Sequence, residues 1–177
     1  LSTAQANALT TDQLTQLGDA QLAALSTAQL NAITAAKLNQ LSSAQFQALT
    51  TAQIAGLDTV HVAALQTADL AALSVDQVRG LGTAAVVALS AAQLQALTTE
   101  QVAALRTSQV AAIEAADLAT METADIAAMG TAQIRAMSSA QIGALSTDQL
   151  TNMGTAQVAA IGTAQISAIA TEDLNTL

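Results

Sequence analysis

The chain has 177 residues, of which 52% are apolar, but it contains one Phe and no Tyr, Trp, Cys or Pro. The missing cysteines exclude disulfide frameworks and cysteine-based zinc sites. Thirteen acidic against four basic side chains give a net charge of −9, which argues against nucleic acid and anionic lipid as partners. No apolar run approaches the roughly 18 residues that a membrane helix needs, so membrane insertion is not expected.

A repeat of eight residues organises the whole chain. From Leu1 there are 22 units without an insertion or deletion, followed by Leu177. We label the positions of each unit a to h. Position a is large and aliphatic in all 23 occurrences, and position f is large and apolar in 21 of 22, the exception being Ala6. We therefore expect residues 1–177 to form a single octapeptide-repeat solenoid, as a segment of a longer array.

The unit favours one short helix, broken and restarted in every repeat. In a continuous helix eight residues advance about 800°, so the apolar stripe would drift by about 80° per unit. In a continuous strand positions a and f would point to opposite faces. Ala at d and h, with Gln at e, is typical of helix, and each residue type fills its position in 15 units. A β-solenoid is the alternative structure.

The predicted helices run from d to a, in chain order from 4–9 and 12–17 to 172–177. All thirteen acids lie at positions b to e, where free N–H groups at a helix start attract carboxylates. This placement predicts depressed carboxylate pKa values and solvated acids. Thr, present at c in 15 units, is the predicted N-cap, and Ser or Thr at b with Gln at e has the spacing of a capping box. Gly at b in five units predicts a left-handed helix exit.

Stacking is required because one helical turn is not stable alone. Positions f and a lie on one face, so the sequence predicts an all-α solenoid, with one very short helix per repeat around a continuous Leu/Ile/Val/Met core. Position g is expected to face water, and the Gln at e to bond the backbone or the Gln of the next coil. Two units per coil is the first expectation, with three or four open. Ala at d and h either raises the helix propensity of the unit or allows another backbone segment to approach closely.

Candidate chemistry is sparse. The acid pairs Glu172/Asp173, Glu114/Asp117 and Glu122/Asp125 have the residue types of a catalytic dyad or a cation site, but helix-start carboxylates account for them better. His61, the only histidine, reads as a tolerated polar substitution at e, because its neighbours Val60 and Val62 offer no ligand. The glycines at 80 and 82 belong to no phosphate loop. We therefore expect no catalytic, cofactor-binding or metal site, no cofactor, and no enzyme activity.

Octapeptides of the type Leu-Thr-Thr-Ala-Gln-Ile-Ala-Ala, as in 49–56, resemble the low-complexity arrays of large bacterial surface and adhesin-like proteins. The resemblance implies an extracellular or cell-surface location and a structural role. We expect a rigid rod or filament-forming segment that associates with itself, end to end or laterally, or with other surface proteins, because neither end carries a polar capping unit. The alternative function is binding of ice or another periodic surface by the Thr column at position c.

Overall fold

The computed structural model describes residues 1–175, and this part of the chain contains 22 short helices and no strand. The all-α prediction with one helix per octapeptide is confirmed, and the β-solenoid alternative is excluded for these residues. None of the described helices is long and apolar enough to cross a membrane. The chain divides into two compact units, Leu1–Ala96 and Leu97–Leu177, and the single domain expected from the sequence stays a prediction.

The first unit contains twelve helices, each four to six residues long. They are α1 Thr3–Ala8, α2 Thr11–Thr15, α3 Asp19–Ala23, α4 Thr27–Ala32, α5 Ala35–Leu38, α6 Ser43–Ala48, α7 Thr51–Ala55, α8 Thr59–Ala64, α9 Thr67–Ala72, α10 Val75–Gly80, α11 Thr83–Val87 and α12 Ala91–Gln95.

The described part of the second unit contains ten helices of the same length range. They are α13 Thr99–Ala104, α14 Thr107–Val110, α15 Ala115–Leu118, α16 Thr123–Ala128, α17 Thr131–Ala136, α18 Ser139–Gly143, α19 Thr147–Thr151, α20 Thr155–Val158, α21 Thr163–Ile166 and α22 Thr171–Leu174.

Each helix begins one residue earlier than the sequence predicted. The N-cap is position b, with extended backbone such as φ −79° and ψ 165° at Ser2, whereas Thr at c is already the first helical residue. In Ser2, Thr10 and nine other b residues, the side-chain oxygen accepts from the N–H of position e. The prediction of Thr at c as N-cap is therefore wrong. The b–e capping box is confirmed. It caps the N-terminus of each of these helices from position b, so the helix begins at c.

The helix exits also differ from the prediction. In the longer helices position a, such as Leu9 with φ −56° and ψ 133°, is an extended C-cap, so the helix does not include it. No described residue has a positive φ, and Gly82 is an extended N-cap with φ −71°. The left-handed exit expected for the glycines at b is wrong. An extended corner over a and b turns the chain, so no left-handed residue is needed.

Three helices, not two, complete one coil. In the first unit α1, α4, α7 and α10 pack in one column, α2, α5, α8 and α11 in a second, and α3, α6, α9 and α12 in a third. The second unit has the same three-helix spacing, with α13 on α16 and α16 on α19. One coil is therefore three octapeptides, or 24 residues. The first expectation of two per coil is wrong, because antiparallel pairs would have placed each helix on the second one along the chain.

Positions a and f form the core of each unit, as predicted. The f side chains of the first unit, from Ala6 to Leu94, are all essentially buried, and Phe46 is the largest of them. The a side chains from Leu25 to Ile169 are buried. Position g is exposed or half-buried throughout the described repeats, which confirms its predicted direction. Stacking thus supplies the burial that a helix of one turn lacks by itself.

Small residues at position h allow successive coils to approach closely. A Cβ added to Gly56 would lie 2.5 Å from Cγ2 of Thr27, and one added to Gly80 would lie 2.8 Å from Cγ2 of Thr51. Both contacts join an h residue to the c residue of the preceding coil in the same column. At these two repeats glycine at h allows the close approach, whereas the role of Ala at d and h, helix propensity or close approach, stays a prediction.

Candidate functional site: the amides that join successive coils

Glutamines at position e connect each coil to the one before it. In these residues, which we call the junction glutamines, the side-chain Nε2 donates to backbone carbonyls near the helix end and the corner of the preceding coil. Two carbonyls, 31 and 28 residues earlier in the chain, are the usual acceptors. The junction glutamines within the two units are Gln29 (which donates to the carbonyl of Leu1), Gln45 (whose first acceptor is 30 residues earlier), Gln53, Gln77, Gln93, Gln133, Gln141, Gln149, Gln157 and Gln165.

Gln77 illustrates the geometry. Its Oε1 accepts from the backbone N–H of Ser74 at 2.7 Å, which caps the start of its own helix. Its Nε2 donates to the carbonyls of Phe46 at 3.0 Å and Leu49 at 2.6 Å, which closes the end of a helix in the preceding coil. Helix ends leave backbone groups without intrahelical partners, and one buried amide here satisfies groups at both ends. Of the two expected partners of Gln at e, the structure shows the backbone.

A second set of amides, at position g, was missed by the sequence reasoning. Asn31 Nδ2 donates to the carbonyl of Gly56 at 2.7 Å, and Gln47 Nε2 donates to the carbonyl of Ala72 at 2.7 Å. These bonds run forward, to position h of the following coil. The recurrence of Asn or Gln at g is a signal for these bonds, although a solvent-facing position does not by itself indicate a partner in the next coil.

His61 replaces the junction glutamine in α8 and has partners that its chain neighbours did not suggest. Its Nε2 lies 2.7 Å from the carbonyl oxygen of Ile33, 28 residues earlier, and its Nδ1 lies 2.7 Å from Oδ1 of Asp58. The backbone and side-chain hydrogen bonds from His61 hold the pKa of Asp58 below its usual value. The ring occupies the amide's place at the junction, so the substitution keeps the connection to the preceding coil.

The three acid pairs named from the sequence do not form a metal cluster. Residues 1–175 contain no group of three or more His, Asp or Glu side chains placed to hold a metal ion. Glu114 and Glu122 are N-cap residues, with Asp117 and Asp125 three residues later, and Glu172 and Asp173 lie in the first turn of α22. The expected lack of catalytic, cofactor and metal sites stays a prediction.

Two acids depart from the expected solvated state. Asp69 and Asp125, both at position e, are buried. Burial raises the pKa of Asp125, against a hydrogen bond from Thr99 that lowers it, and the nearby charge of Glu122 raises it further. The depressed pKa expected for helix-start acids is therefore correct for Asp58 and wrong for Asp125. At a coil junction desolvation outweighs the attraction of the helix N-terminus.

The Thr column at position c contributes to the contacts between coils. Thr99 Oγ1 donates to Oδ1 of Asp125 at 2.9 Å, and Thr147 makes the matching bond to Asp173. Methyl groups of Thr27 and Thr51 lie against Gly56 and Gly80 of the following coils. Recognition of ice or another periodic surface by this column stays a prediction, to be tested by thermal hysteresis.

The comparisons with known proteins agree with the repeat architecture. The family model of the ALTTAQ repeat matches residues 22–59, 62–99, 110–147 and 118–155, which together cover more than half of the chain. No curated protein matches the chain. The matched segments contain the Thr, Ala and Gln positions that begin each helix and form the junctions between coils. The chain thus belongs to the ALTTAQ repeat family.

Proposed function

We propose that this chain is a structural module without enzymatic activity, which associates end to end to extend a rod or filament at a bacterial cell surface. The observation that carries the proposal is the complementarity between the first and the last coil. The first coil exposes three amide side chains and the aliphatic side chain of Leu1. The last coil exposes aliphatic side chains at core positions of the repeat.

The first coil, α1 to α3, presents three exposed junction-type amides. Oε1 of Gln5, Gln13 and Gln21 accepts from the N-cap N–H of its own helix, as in the interior repeats. The side chains of all three glutamines are exposed. Leu1 is 67% exposed beside them, and with Leu17 and Leu25 it lines an apolar groove.

The last coil presents the matching half. Ile166 is 41% exposed and Leu174 is 36% exposed, although both occupy position f, which is buried in the interior repeats. The 28-residue register of the junction glutamines assigns the carbonyls of Met153, Ile161 and Ile169 as acceptors for three amides of a second copy. Gln5, Gln13 and Gln21 in the first coil of that copy are the donors that we assign to them.

Association of the isolated chain tests the proposal. We expect light scattering and negative-stain microscopy to show concentration-dependent end-to-end oligomers. The double substitution Ile166→Asp/Leu174→Asp should abolish them, because it places two charges in the contact. Val87→Asp is the matched control, since Val87 is 54% exposed on α11, away from both end faces, and this variant should still associate. A wild-type chain that stays monomeric, or equal association of both variants, would contradict the proposal.

Acid should strengthen this association. The net charge of −9 makes copies repel one another near pH 7, and the pI is near 4.1. Protonation of the carboxylates removes that repulsion. We expect the average oligomer size to grow as the pH falls from 7 toward 4, measured by dynamic light scattering. Dissociation on acidification would instead indicate that ionised carboxylates hold the copies together.

The bacterial surface location rests on the resemblance of the octapeptides to surface-protein arrays. We expect antibodies against the repeat to label intact cells that make the full-length protein, and external protease to remove the label. Labelling that requires permeabilised cells would contradict the surface location without affecting the proposal of end-to-end association.

A further inference from the structure

Four aspartates occupy position e, where the repeat normally places a glutamine, and two of them, Asp69 and Asp125, are buried. The Oδ1 of Asp69 accepts from Ser43 Oγ at 2.7 Å, and the Oδ1 of Asp125 accepts from Thr99 Oγ1 at 2.9 Å. In both cases the donor is the c residue of the preceding coil in the same column. Neither helix has a side-chain bond at its N-cap. These aspartates therefore contact the preceding coil in a way that the glutamines do not.

An ionised aspartate cannot replace the amide, because a carboxylate only accepts hydrogen bonds. The glutamine register assigns to position 125 the carbonyl of Leu97, 28 residues earlier, and a carbonyl also only accepts. Asp69 shows what the substitution removes, since its Oδ2 is buried without a hydrogen-bond partner. In the glutamine repeats the e side chain donates to carbonyls of the preceding coil, and an aspartate can donate only when its carboxyl group carries a proton.

The surroundings of Asp125 favour the neutral acid. Asp125 is 3% exposed, and an unpaired charge at such a site carries a large desolvation cost. Its helix, α16, packs against α13 and α19, and the charged groups on these three helices and their N-caps are Glu122, Glu100 and Asp148, all acidic. The helices before and after α16 in the chain, with their N-caps, carry Glu114, Asp117 and Arg135.

A bound cation is the other way to neutralise this carboxylate. The described residues place no three His, Asp or Glu side chains together around it. A proton requires neither additional ligands nor additional volume, and it creates the missing donor on the carboxyl group itself. Protonation of Asp125 therefore explains both the lack, within residues 1–175, of further ligands around the carboxyl group and the replacement of an amide donor, whereas a bound cation explains neither.

We propose that Asp125 makes the contact between α16 and the preceding coil proton-dependent. The carboxylate takes up one proton from water, and the resulting O–H donates to the backbone where other repeats use an amide. Oδ1 meanwhile keeps the hydrogen bond from Thr99. Release of this proton leaves a buried charge facing acceptors, which weakens the junction. A family of near-identical repeats thus contains a junction whose strength depends on pH.

The sign of the pH dependence follows from the direction of the shift. Burial raises the pKa of Asp125 in the folded chain. The stabilisation is therefore complete below the unfolded pKa of about 3.9, and it is lost as the pH rises through the folded pKa. Within that window the unfolding equilibrium constant of the wild-type chain should rise by up to about tenfold per pH unit, relative to a variant that does not titrate.

Denaturant unfolding of the 177-residue chain between pH 4 and 8, with amide hydrogen exchange in α13 and α16, tests the proposal. Asp125→Asn and Asp125→Gln keep a donor without a titrating group, so we expect both to remove the extra pH dependence. Asp148→Asn, an exposed acid on a neighbouring helix, is the matched control and should retain it. The proposal would be overturned if the ratio between the unfolding equilibrium constants of the wild-type chain and of each Asp125 variant were the same at every pH.

Two further measurements distinguish a protonated Asp125 from an ionised one and from a cation-bound one. When the carboxyl ¹³C chemical shift of Asp125 is followed against pH in the folded chain, its midpoint should lie above the reference pKa of aspartate. A midpoint at or below that reference pKa would overturn the proposal. The extra pH dependence should also be unchanged when Ca²⁺ or K⁺ is added. A cation-dependent stabilisation that Asp125→Asn removes would overturn the proposal and identify a cation site instead.

Discussion

The first coil and an interior coil of the same unit contain nearly the same octapeptides, yet their glutamines do different things. Gln5 in the first coil is exposed and caps only its own helix. Gln77 is buried and also binds two carbonyls of the coil before it. The difference arises from what lies next to the residue and not from the residue itself. Stability in this protein therefore resides at the junctions between coils, as in other repeat arrays.

The largest predicted effect separates interior from terminal core positions. Ile54→Asp places a charge at a fully buried f position and should lower the free energy of unfolding by about 4 kcal/mol or more. Leu174→Asp, at the partly exposed f position of α22, should cost about 1 kcal/mol in the monomer, because water still reaches the new carboxylate. Urea denaturation at low protein concentration measures both. Equal costs would mean that the last coil is covered in the monomer.

The next prediction compares the two kinds of glutamine directly. Gln77→Ala leaves two buried carbonyls and one N–H without their partners and should cost about 2–4 kcal/mol. Gln13→Ala removes a single exposed capping bond and should cost about 1 kcal/mol or less. Urea denaturation of the two variants beside the wild type provides the test. A similar cost for both would place the main role of the amide within its own helix.

Substitutions of two glycines should change the free energy of unfolding by smaller amounts. A Cβ at Gly143 would lie 2.6 Å from the carbonyl oxygen of Ala168 in the following coil, so Gly143→Ala should cost about 1–3 kcal/mol. A Cβ at Gly82 meets no atom within 4 Å, and Gly82→Ser adds an N-cap hydroxyl. This second change should raise stability by about 0.5–1 kcal/mol. Thermal melts of the two variants should therefore shift in opposite directions.

The smallest effect concerns Asp58, whose carboxylate lies near the surface. Hydrogen bonds from His61 lower its pKa, so its contribution is present above the unfolded pKa of about 3.9 and is lost as the pH falls through the folded value. In Asp58→Asn the stability should fall less steeply as the pH drops below about 4. Thermal melts at a series of pH values measure this difference. An unchanged acid limb would show that the Asp58–His61 contact does not contribute to stability.

The eight-residue pattern was sufficient to predict the short helices, the aliphatic core at a and f, and the exposed g positions. It placed the N-cap one residue late, because Ser at b and Thr at c are both good caps and only the backbone angles of Ser2 and its equivalents distinguish them. It also left the number of helices per coil open. Because the units are nearly equivalent, the sequence has no period longer than the octapeptide. Nothing in the order of residues therefore marks where a coil closes.

The role of the candidate site was hidden for the same reason. The partners of Gln77 lie 28 and 31 residues earlier, and this spacing has a meaning only once three helices are known to form a coil. The burial of Asp125 depends on the same fact. Its position three residues after Glu122 suggested a solvated helix start, whereas the preceding coil covers it.

Every junction glutamine donates to residues that precede it in the chain, 28 to 31 positions earlier for Gln53 and its equivalents. A ribosome releases the acceptors before the donors, so each new coil meets a finished surface as soon as its own residues emerge. The short separation in sequence also favours rapid folding. Synthesis of such a protein therefore resembles the extension of a template, in which the last completed coil dictates the register of the next.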